Sequence, residues 1–185
     1  MFFRRLKLPM LIKKTKFKNL FVIKKSKFKD NRGFFYRDFC KDEFKKFKFD
    51  IKQTNISFNN KKHTLRGFHY QVKPNEEKKI ITCVSGSILN ISIDLRKKSK
   101  TYLKNYRIIL SEKNKYSIHV PKGFANAYLS LEDKTKVLYY MSEFYKPSKA
   151  MNIRYNDKFF SIKWPHKPKV ISRKDQNIPD FSLYE

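Results

Sequence analysis

Glycine and cysteine are both scarce in this chain of 185 residues, which has four glycines and two cysteines. The glycines form neither a GxGxxG fingerprint nor a P-loop, which excludes the Rossmann and kinase types of nucleotide binding. A GxSxG nucleophile motif is also absent. Cys40 and Cys83 are too few for a disulfide scaffold and lack metal-type spacing. We therefore expect both to pack as small apolar side chains in a reducing compartment.

Long apolar segments are missing as well. The sequence contains no run of 18 or more apolar residues, so it predicts no membrane-spanning helix and no membrane partner. The first residues, MFFRRLKLPMLI, lack the long apolar region and the small-residue cleavage site of a signal peptide. These absences favour a cytoplasmic protein. Met10 is a more natural start of translation than Met1. We therefore interpret residues 1–9 as an extension and residues 10–185 as one domain.

Acidic residues are few, with 16 Asp and Glu against 44 Lys and Arg, which gives a net charge of +28. Such a charge is typical of proteins that bind nucleic acids or membrane surfaces. However, lysine far outnumbers arginine, and Asn, Ile, Phe and Tyr are abundant, which is the bias of an AT-rich genome. The basic residues are also spread along the chain. We therefore predict no nucleic-acid partner. Two alternatives stay open: the protein binds polyanions, or it binds a small anionic ligand that is attracted by its positive electrostatic field.

A hydrophobic period of two residues dominates the middle of the chain. In residues 88–95, Leu89 and Ile91 alternate with Asn90 and Ser92, which indicates a strand with two unlike faces. Short strands without βαβ alternation indicate an antiparallel sandwich or barrel, and the residues from 162 onward are expected to wrap it as loops and a short turn. Further strands are predicted at 79–84, 106–110, 117–120, 125–131 and 137–142, and a short helix at 41–47.

The segment LRGFHYQ at 65–71 contains a histidine on a predicted strand. Regular alternation places Arg66 and Phe68 on one face of this strand, with Gly67, His69 and Gln71 on the other. A lone histidine in such a position is more often structural than catalytic. From the residues alone, both roles therefore stay open for His69.

The segment HVPKGFAN at 119–126 has a Pro-x-Gly turn ahead of a strand, as cupin barrels do. Cupins that bind a metal carry a second histidine two residues after the first, and another three residues after this glycine. Here Gln71 and Asn126 stand at those positions. One imidazole, that of His69, with two amides is a poor transition-metal site. We therefore predict neither a metal nor a cofactor.

A set of short motifs runs along residues 13–179. The motifs are DNRGFF (30–35), QTNIS (53–57), LRGFHYQ (65–71), KKIITCVSGSILNISIDLRKKSKTY (78–102), LSEKN (110–114), PKGFA (121–125), LYY (138–140), YKP (145–147), YNDKFFSIKWP (155–165) and ISRKDQNIP (171–179). Each motif is weak alone, but with little or no gapping the set is highly specific, and it resembles the dTDP-4-dehydrorhamnose 3,5-epimerase family. The resemblance implies an all-β, antiparallel cupin or jelly-roll barrel with short flanking helices.

The resemblance implies an epimerase of a nucleotide-linked 4-keto-6-deoxy sugar, which inverts C3, C5 or both through an enolate. This chemistry needs a base, a group that stabilises the oxyanion, and an acid on the opposite side. By resemblance His69 is the base and Asp175 orients its ring. Lys79 is the cation that faces the enolate, and Tyr139 is the acid. From the residues alone, Asp175 is also compatible with a helix or turn cap, and Tyr139 with a barrel aromatic.

The resemblance also assigns residues to the nucleotide-diphospho-sugar substrate. Arg66 would reach the diphosphate, because a guanidinium fork suits phosphate oxygens. Arg32 and Phe35 belong to a segment that crosses a dimer interface in the family, where Phe35 would stack on the base and Arg32 would hold phosphate. This implies a homodimer. The remaining residues assigned to substrate binding are Gln53, Asn55 and Asn126.

Four positions depart from the family's pattern. Arg37 replaces a glutamate, and Phe144 replaces a second tyrosine of the active site. Asn126 replaces a histidine and Asn90 an aspartate, so two ionisable groups become amides that form hydrogen bonds but do not titrate near neutral pH. These departures leave an alternative open, in which the protein is a catalytically impaired cupin that binds nucleotide sugar without turnover.

Overall fold

Nearly every regular element in residues 10–181, the part of the chain that the computed structural model describes, is a β-strand. The extension expected at 1–9 lies outside the described residues, so that division stays a prediction. The strands are β1 (Met10–Lys14), β2 (Phe21–Lys25), β3 (Lys27–Asp30), β4 (Gly33–Tyr36), β5 (Gln53–Asn59), β6 (Leu65–Gln71), β7 (Lys79–Ser85), β8 (Ser87–Asp94), β9 (Asn105–Ser111), β10 (Tyr116–Val120), β11 (Phe124–Ser130), β12 (Thr135–Met141) and β13 (Ala150–Asn152).

The helices are short and lie between strands or near the end of the described chain. The expected helix at 41–47 is present as α1 (Lys41–Phe44), which continues as a 3₁₀ turn (Lys45–Phe47). A second 3₁₀ turn covers Pro147–Lys149. The last helix is α2 (Arg173–Gln176). None of the described helices combines the length and the apolar character needed to cross a bilayer.

Two antiparallel sheets make up the body of the fold. One has the strand order β1-β2-β10-β7-β12-β5 and the other β13-β6-β11-β8-β9, while β3 and β4 form a separate hairpin. All the paired strands in the described residues are antiparallel. The buried residues Ile81 and Val137 of the first sheet pack with Ile88 and Tyr128 of the second. The sheets therefore face each other across a core, which confirms the all-β antiparallel barrel with short flanking helices.

The outer face of each sheet is covered as well. Behind the second sheet, Leu89 and Ile91 pack against Trp164 of the segment that follows β13. Behind the first sheet, Ile80 packs in a cluster with Phe44 from α1. The predicted alternation along 88–95 is therefore confirmed, and so is the prediction that the residues from 162 onward wrap the barrel.

Candidate active site

A cavity of about 640 Å³ opens between the two sheets. Its walls come from β5, β7 and β12 on one side, from β6 and β11 on the other, and from the stretch that leads into α2. Sequence positions more than a hundred residues apart thus meet in one place. The predicted site residues that line it are Gln53, Asn55, Arg66, His69, Lys79, Asn126, Tyr139 and Asp175.

His69 and Asp175 form a hydrogen-bonded pair at this cavity. The distance from His69 Nε2 to Asp175 Oδ1 is 2.8 Å. The carboxylate side chain is only 6% exposed, whereas the imidazole is 46% exposed. Burial by itself raises the pKa of Asp175, but hydrogen bonds from His69 and Ser172 outweigh burial and hold that pKa below its ordinary value. An ionised carboxylate in this place orients the imidazole and stabilises its protonated form.

The short helix α2 delivers Asp175 to the pair. Its N-cap is Ser172, whose hydroxyl oxygen accepts a hydrogen bond from the Asp175 backbone N–H at 3.0 Å. A serine in this position satisfies a helix N–H that has no partner within the helix. Ser172, and not Asp175, is therefore the cap, which leaves the Asp175 carboxylate available to His69.

Strand β6 is irregular at the site, and one prediction fails for that reason. Asn126 lies opposite His69 and Tyr128 opposite Arg66, so two steps along β11 match three steps along β6. The extra residue of such a bulge reverses the alternation of side chains beyond it. As a result Arg66 and His69 both line the cavity, while Phe68 packs in the cluster behind the sheet. The prediction that Arg66 and Phe68 share a face is wrong.

The guanidinium of Arg66 is held at the cavity rim by β5. Its Nε donates to Asn59 Oδ1 at 3.0 Å and its Nη2 donates to the Phe58 carbonyl oxygen at 3.3 Å. On the same strand, Gln53 Nε2 donates to Asn55 Oδ1 at 3.0 Å. A cation and two amides thus lie along one side of the cavity. The cation suits the oxygens of a phosphate ester, and the amides suit the hydrogen-bonding groups of a nucleotide base.

Tyr139 faces the cavity from the sheet opposite His69. The neighbouring Tyr140 points to the other side of β12, where its hydroxyl donates to Asp38 Oδ2 at 2.8 Å, as strand alternation predicts. Burial, together with the nearby hydroxyl of Tyr128, raises the pKa of Tyr139 well above its ordinary value. The phenol is therefore kept in its protonated form, which is the form that can donate a proton.

Lys79 is buried and lines the same cavity, and its ammonium has two described partners. It donates to the His69 carbonyl oxygen at 3.0 Å and forms an ion pair with Glu77 Oε1 at 2.9 Å. Sequence reasoning missed Glu77 as a site residue. No periodicity signal marked it, because Glu77 lies in the loop before β7, outside both the predicted and the observed strand.

The nucleotide-binding residues on the β3–β4 hairpin lie elsewhere. The Arg32 side chain is 84% exposed, and its Nη2 pairs with Asp30 Oδ2 at 2.6 Å. Phe35 is 52% exposed. Neither is among the described residues that line the cavity of their own chain. Their assignment to a neighbouring chain's site stays a prediction.

The departures from the family's pattern form no titratable pair in the cavity wall. The Ser92 hydroxyl donates to Asn126 Oδ1 at 2.8 Å, and Asn90 Nδ2 donates to Ser92 Oγ at 3.3 Å. Asn126 lines the cavity, whereas Asn90 is fully buried. Arg37 pairs with Glu43 at 2.6 Å. The amides therefore supply no proton, and within residues 10–181 the buried Asn90 Oδ1 has no hydrogen-bond partner.

The residues at the cavity do not fit a transition metal. Within residues 10–181 no group of three or more His, Cys, Asp or Glu side chains is placed to hold an ion. The His69 imidazole is engaged by Asp175, and the positions where metal-binding cupins have further histidines hold Gln71 and Asn126. Such a donor set suits no transition metal. Metal independence stays a prediction.

Comparison with known proteins decides the family. The sequence model of the dTDP-4-dehydrorhamnose 3,5-epimerases matches residues 14–182. The chain belongs to the dTDP-4-dehydrorhamnose 3,5-epimerase family. This membership makes it an isomerase and confirms the resemblance inferred from the motifs. The relative from Shigella flexneri is 33% identical over 175 residues, which are 93% of this chain and 96% of the relative.

Solved structures of the epimerase family share the fold. The enzyme from Bacillus anthracis, with TDP and PPi bound, superposes with a TM-score of 0.90 at 31% identity, over 94% of this chain and all of that one (100%). The dTDP-6-deoxy-D-glucose-3,5-epimerase from Legionella pneumophila, in complex with dTDP-4-keto-L-rhamnose, gives 0.85 at 30% identity, over 90% of each chain. These likenesses confirm the cupin-like jelly-roll fold predicted from the sequence.

Proposed function

We propose that this protein epimerises a dTDP-linked 4-keto-6-deoxy sugar at C3, C5 or both through an enolate. The observation that carries the proposal is the His69–Asp175 pair at 2.8 Å, on the wall of the cavity opposite Tyr139. A base and an acid on facing sheets are what removal of a proton from one face and return to the other require. The ligands named for the Bacillus and Legionella relatives support a dTDP sugar as the substrate.

His69 removes the proton. Because Asp175 engages Nε2, the ring nitrogen that acts as the base is Nδ1. The C–H electron pair of the carbon next to the ketone moves into a new C–C double bond, and the carbonyl electron pair moves onto O4. The imidazolium that results is stabilised by the Asp175 carboxylate, whose low pKa keeps it ionised.

Lys79 and Tyr139 complete the inversion. The Lys79 ammonium stabilises the negative charge that develops on O4, a preorganised interaction that is stronger away from bulk water. The Tyr139 hydroxyl then delivers a proton to the carbon from the opposite face as the ketone re-forms. Arg66 holds the diphosphate, and Gln53 and Asn55 bind the nucleotide.

Heavy-water exchange tests this function. Proton NMR of dTDP-4-keto-6-deoxyglucose in heavy water follows H3 and H5 separately. We expect the wild type to exchange at least one of them. Because Asn126 and Asn90 supply no titrating group, we expect the enzyme to be slower, or to be biased toward a single carbon. The loss of one supporting hydrogen bond costs roughly 10²–10³ in rate.

The variant Asn126→His combined with Asn90→Asp is the matched gain-of-function test. It should restore exchange at the slower carbon. Equal, rapid exchange of H3 and H5 in the wild type would refute the bias. Binding of the nucleotide sugar without exchange at either carbon would instead favour the alternative, in which the protein is an impaired cupin that retains binding. The amides at positions 90 and 126 motivate this alternative.

We also propose that the active unit is a homodimer in which Arg32 and Phe35 complete the neighbour's site. The edge strand β5 supports an interface, because Ile56 is 71% and Phe58 50% exposed there. Exposed apolar side chains on a sheet edge are usually covered by another strand or chain.

Mixing two defective variants tests this assembly. His69→Ala and the double variant Arg32→Ala/Phe35→Ala should each be nearly inactive alone. After they are unfolded and refolded together, activity should recover to about a quarter of the wild-type value, because half of the random dimers carry one intact site of two. An equal mixture that is not refolded is the control. An active monomer in light scattering would contradict the proposal.

A further inference from the structure

A buried carboxylate beside Lys79 is not used by the mechanism above. Glu77 is 7% exposed and lines the cavity just before β7. Its Oε1 lies 2.9 Å from Lys79 Nζ, and its Oε2 is buried without a hydrogen-bond partner in residues 10–181. A buried ion pair that leaves one oxygen unsatisfied adds little stability, because the loss of hydration offsets the attraction between the charges. Stability alone therefore does not account for this carboxylate.

We infer that Glu77 is a positioning residue, which holds the Lys79 ammonium toward the C4 oxygen of the sugar; this inference rests on the proposed function. An ammonium has three N–H donors. In the described structure, the His69 carbonyl oxygen accepts one of them at 3.0 Å, and Glu77 Oε1 forms an ion pair with the ammonium at 2.9 Å. The donor capacity that these two partners leave can serve a ligand in the cavity that Lys79 lines.

The geometry of the reaction explains why this positioning matters. The proton to be removed and the oxygen that becomes negative are on adjacent carbons of the sugar, so the base and the cation must keep a fixed separation. The bond from Lys79 to the His69 carbonyl ties the cation to the strand that carries the base. A lysine has a flexible four-carbon side chain, and the ion pair with Glu77 restricts the conformations that the Lys79 side chain can still adopt.

The charge of Glu77 does not itself help the reaction, since a carboxylate close to the enolate repels it. What the inference requires is the acceptor oxygen. A glutamine at position 77 keeps an acceptor of the same reach, whereas a methionine keeps the volume and removes the acceptor. These two variants therefore separate positioning from the filling of space.

The experiment compares Glu77→Gln, Glu77→Met, Lys79→Met and the double variant Glu77→Met/Lys79→Met in the heavy-water exchange assay. We expect Glu77→Met to lower kcat on the order of 10²-fold, with KM changed by less than about threefold. Glu77→Gln should retain most of the wild-type kcat. In the Lys79→Met background, Glu77→Met should lower kcat no further, because residues that act through one another are not additive. The control is Glu76→Met, at a neighbouring position that does not line the cavity.

Several outcomes would overturn the inference. The first is an unchanged kcat in Glu77→Met. The second is an equal loss of kcat in Glu77→Gln and Glu77→Met. The third is a loss of kcat on adding Glu77→Met to Lys79→Met that is as large as the loss in the wild-type background. If Glu77→Met does not fold, Glu77→Ala with added acetate replaces it. Acetate should then restore kcat in Glu77→Ala but not in Lys79→Met, and no rescue would count against positioning. A wild type without exchange would refute the proposed function, whereas an active wild type with a neutral Glu77→Met would refute this inference alone.

Discussion

Replacement of His69 by alanine is expected to abolish exchange of the sugar ring protons with heavy water. A positioned general base contributes roughly 10²–10⁴ to a rate, and no other imidazole among the described residues lines the cavity. Nucleotide binding should persist, because Arg66, Gln53 and Asn55 are untouched. Proton NMR measures the exchange, and titration calorimetry with dTDP measures the binding.

Two further variants make the His69 result specific. Asp175→Asn should lower the rate by on the order of 10²-fold or more, because an amide no longer stabilises the imidazolium or selects the reactive tautomer. His166→Ala removes an exposed imidazole outside the cavity and should leave the rate unchanged. Full exchange in His69→Ala would show that a different group is the base.

Replacement of Gly67 by alanine is expected to have the largest effect on stability. A methyl group there would lie 2.5 Å from Ala127 Cβ and 2.6 Å from both Ala127 Cα and the Asn126 carbonyl oxygen. Two of these atoms belong to the backbone of β11, so no side-chain rotation relieves the overlap. The φ angle of Gly67 is also +121°, a region that residues with a Cβ rarely adopt.

The size of this effect follows from its two components. The positive φ angle costs about 1–2 kcal/mol and overpacking about 1–3 kcal/mol. In a domain of this size each kcal/mol lowers Tm by about 2–4 °C, so Tm should fall by roughly 4–20 °C. Because β6 carries Arg66 and His69 on either side of the glycine, exchange activity should fall as well.

Gly33 provides a matched control in the same chain. Its φ angle is +128°, but an added Cβ would meet nothing within 4 Å. Gly33→Ala therefore isolates the backbone component, and its Tm should fall by only a few degrees, about 2–8 °C. Equal losses of Tm in the two variants, measured by scanning calorimetry, would mean that the close approach of β11 to Gly67 contributes nothing.

The strands in the middle of the chain were predictable because their hydrophobic alternation is a local property. The segments 79–84 and 106–110 are observed as β7 and β9 within about a residue or two at each end. The lysine-rich stretch that forms β1 and β2 was not predicted as strands. Its lysines are mostly exposed, but Lys25 is buried with Asp38, an interaction that no periodicity indicates.

The site was predicted through the family motifs and not through spacing. Asp175 lies 106 positions from His69, and residues so distant meet only when the barrel has closed and α2 has packed against it. Lys79 was selected among many lysines in the same way. The sequence by itself thus determined the fold class, the family and eight of the polar residues that line the cavity, but not Glu77.

Only the tertiary structure decided how these residues are arranged. The side of β6 on which Arg66 lies depends on a bulge, and a bulge exists only relative to the partner strand, here β11. The contact of Lys79 with the His69 carbonyl requires β6 and β7 to approach each other from different sheets. Local sequence sets which residues alternate, whereas pairing between distant strands sets which of them face one another, because register and bulges are properties of two strands together.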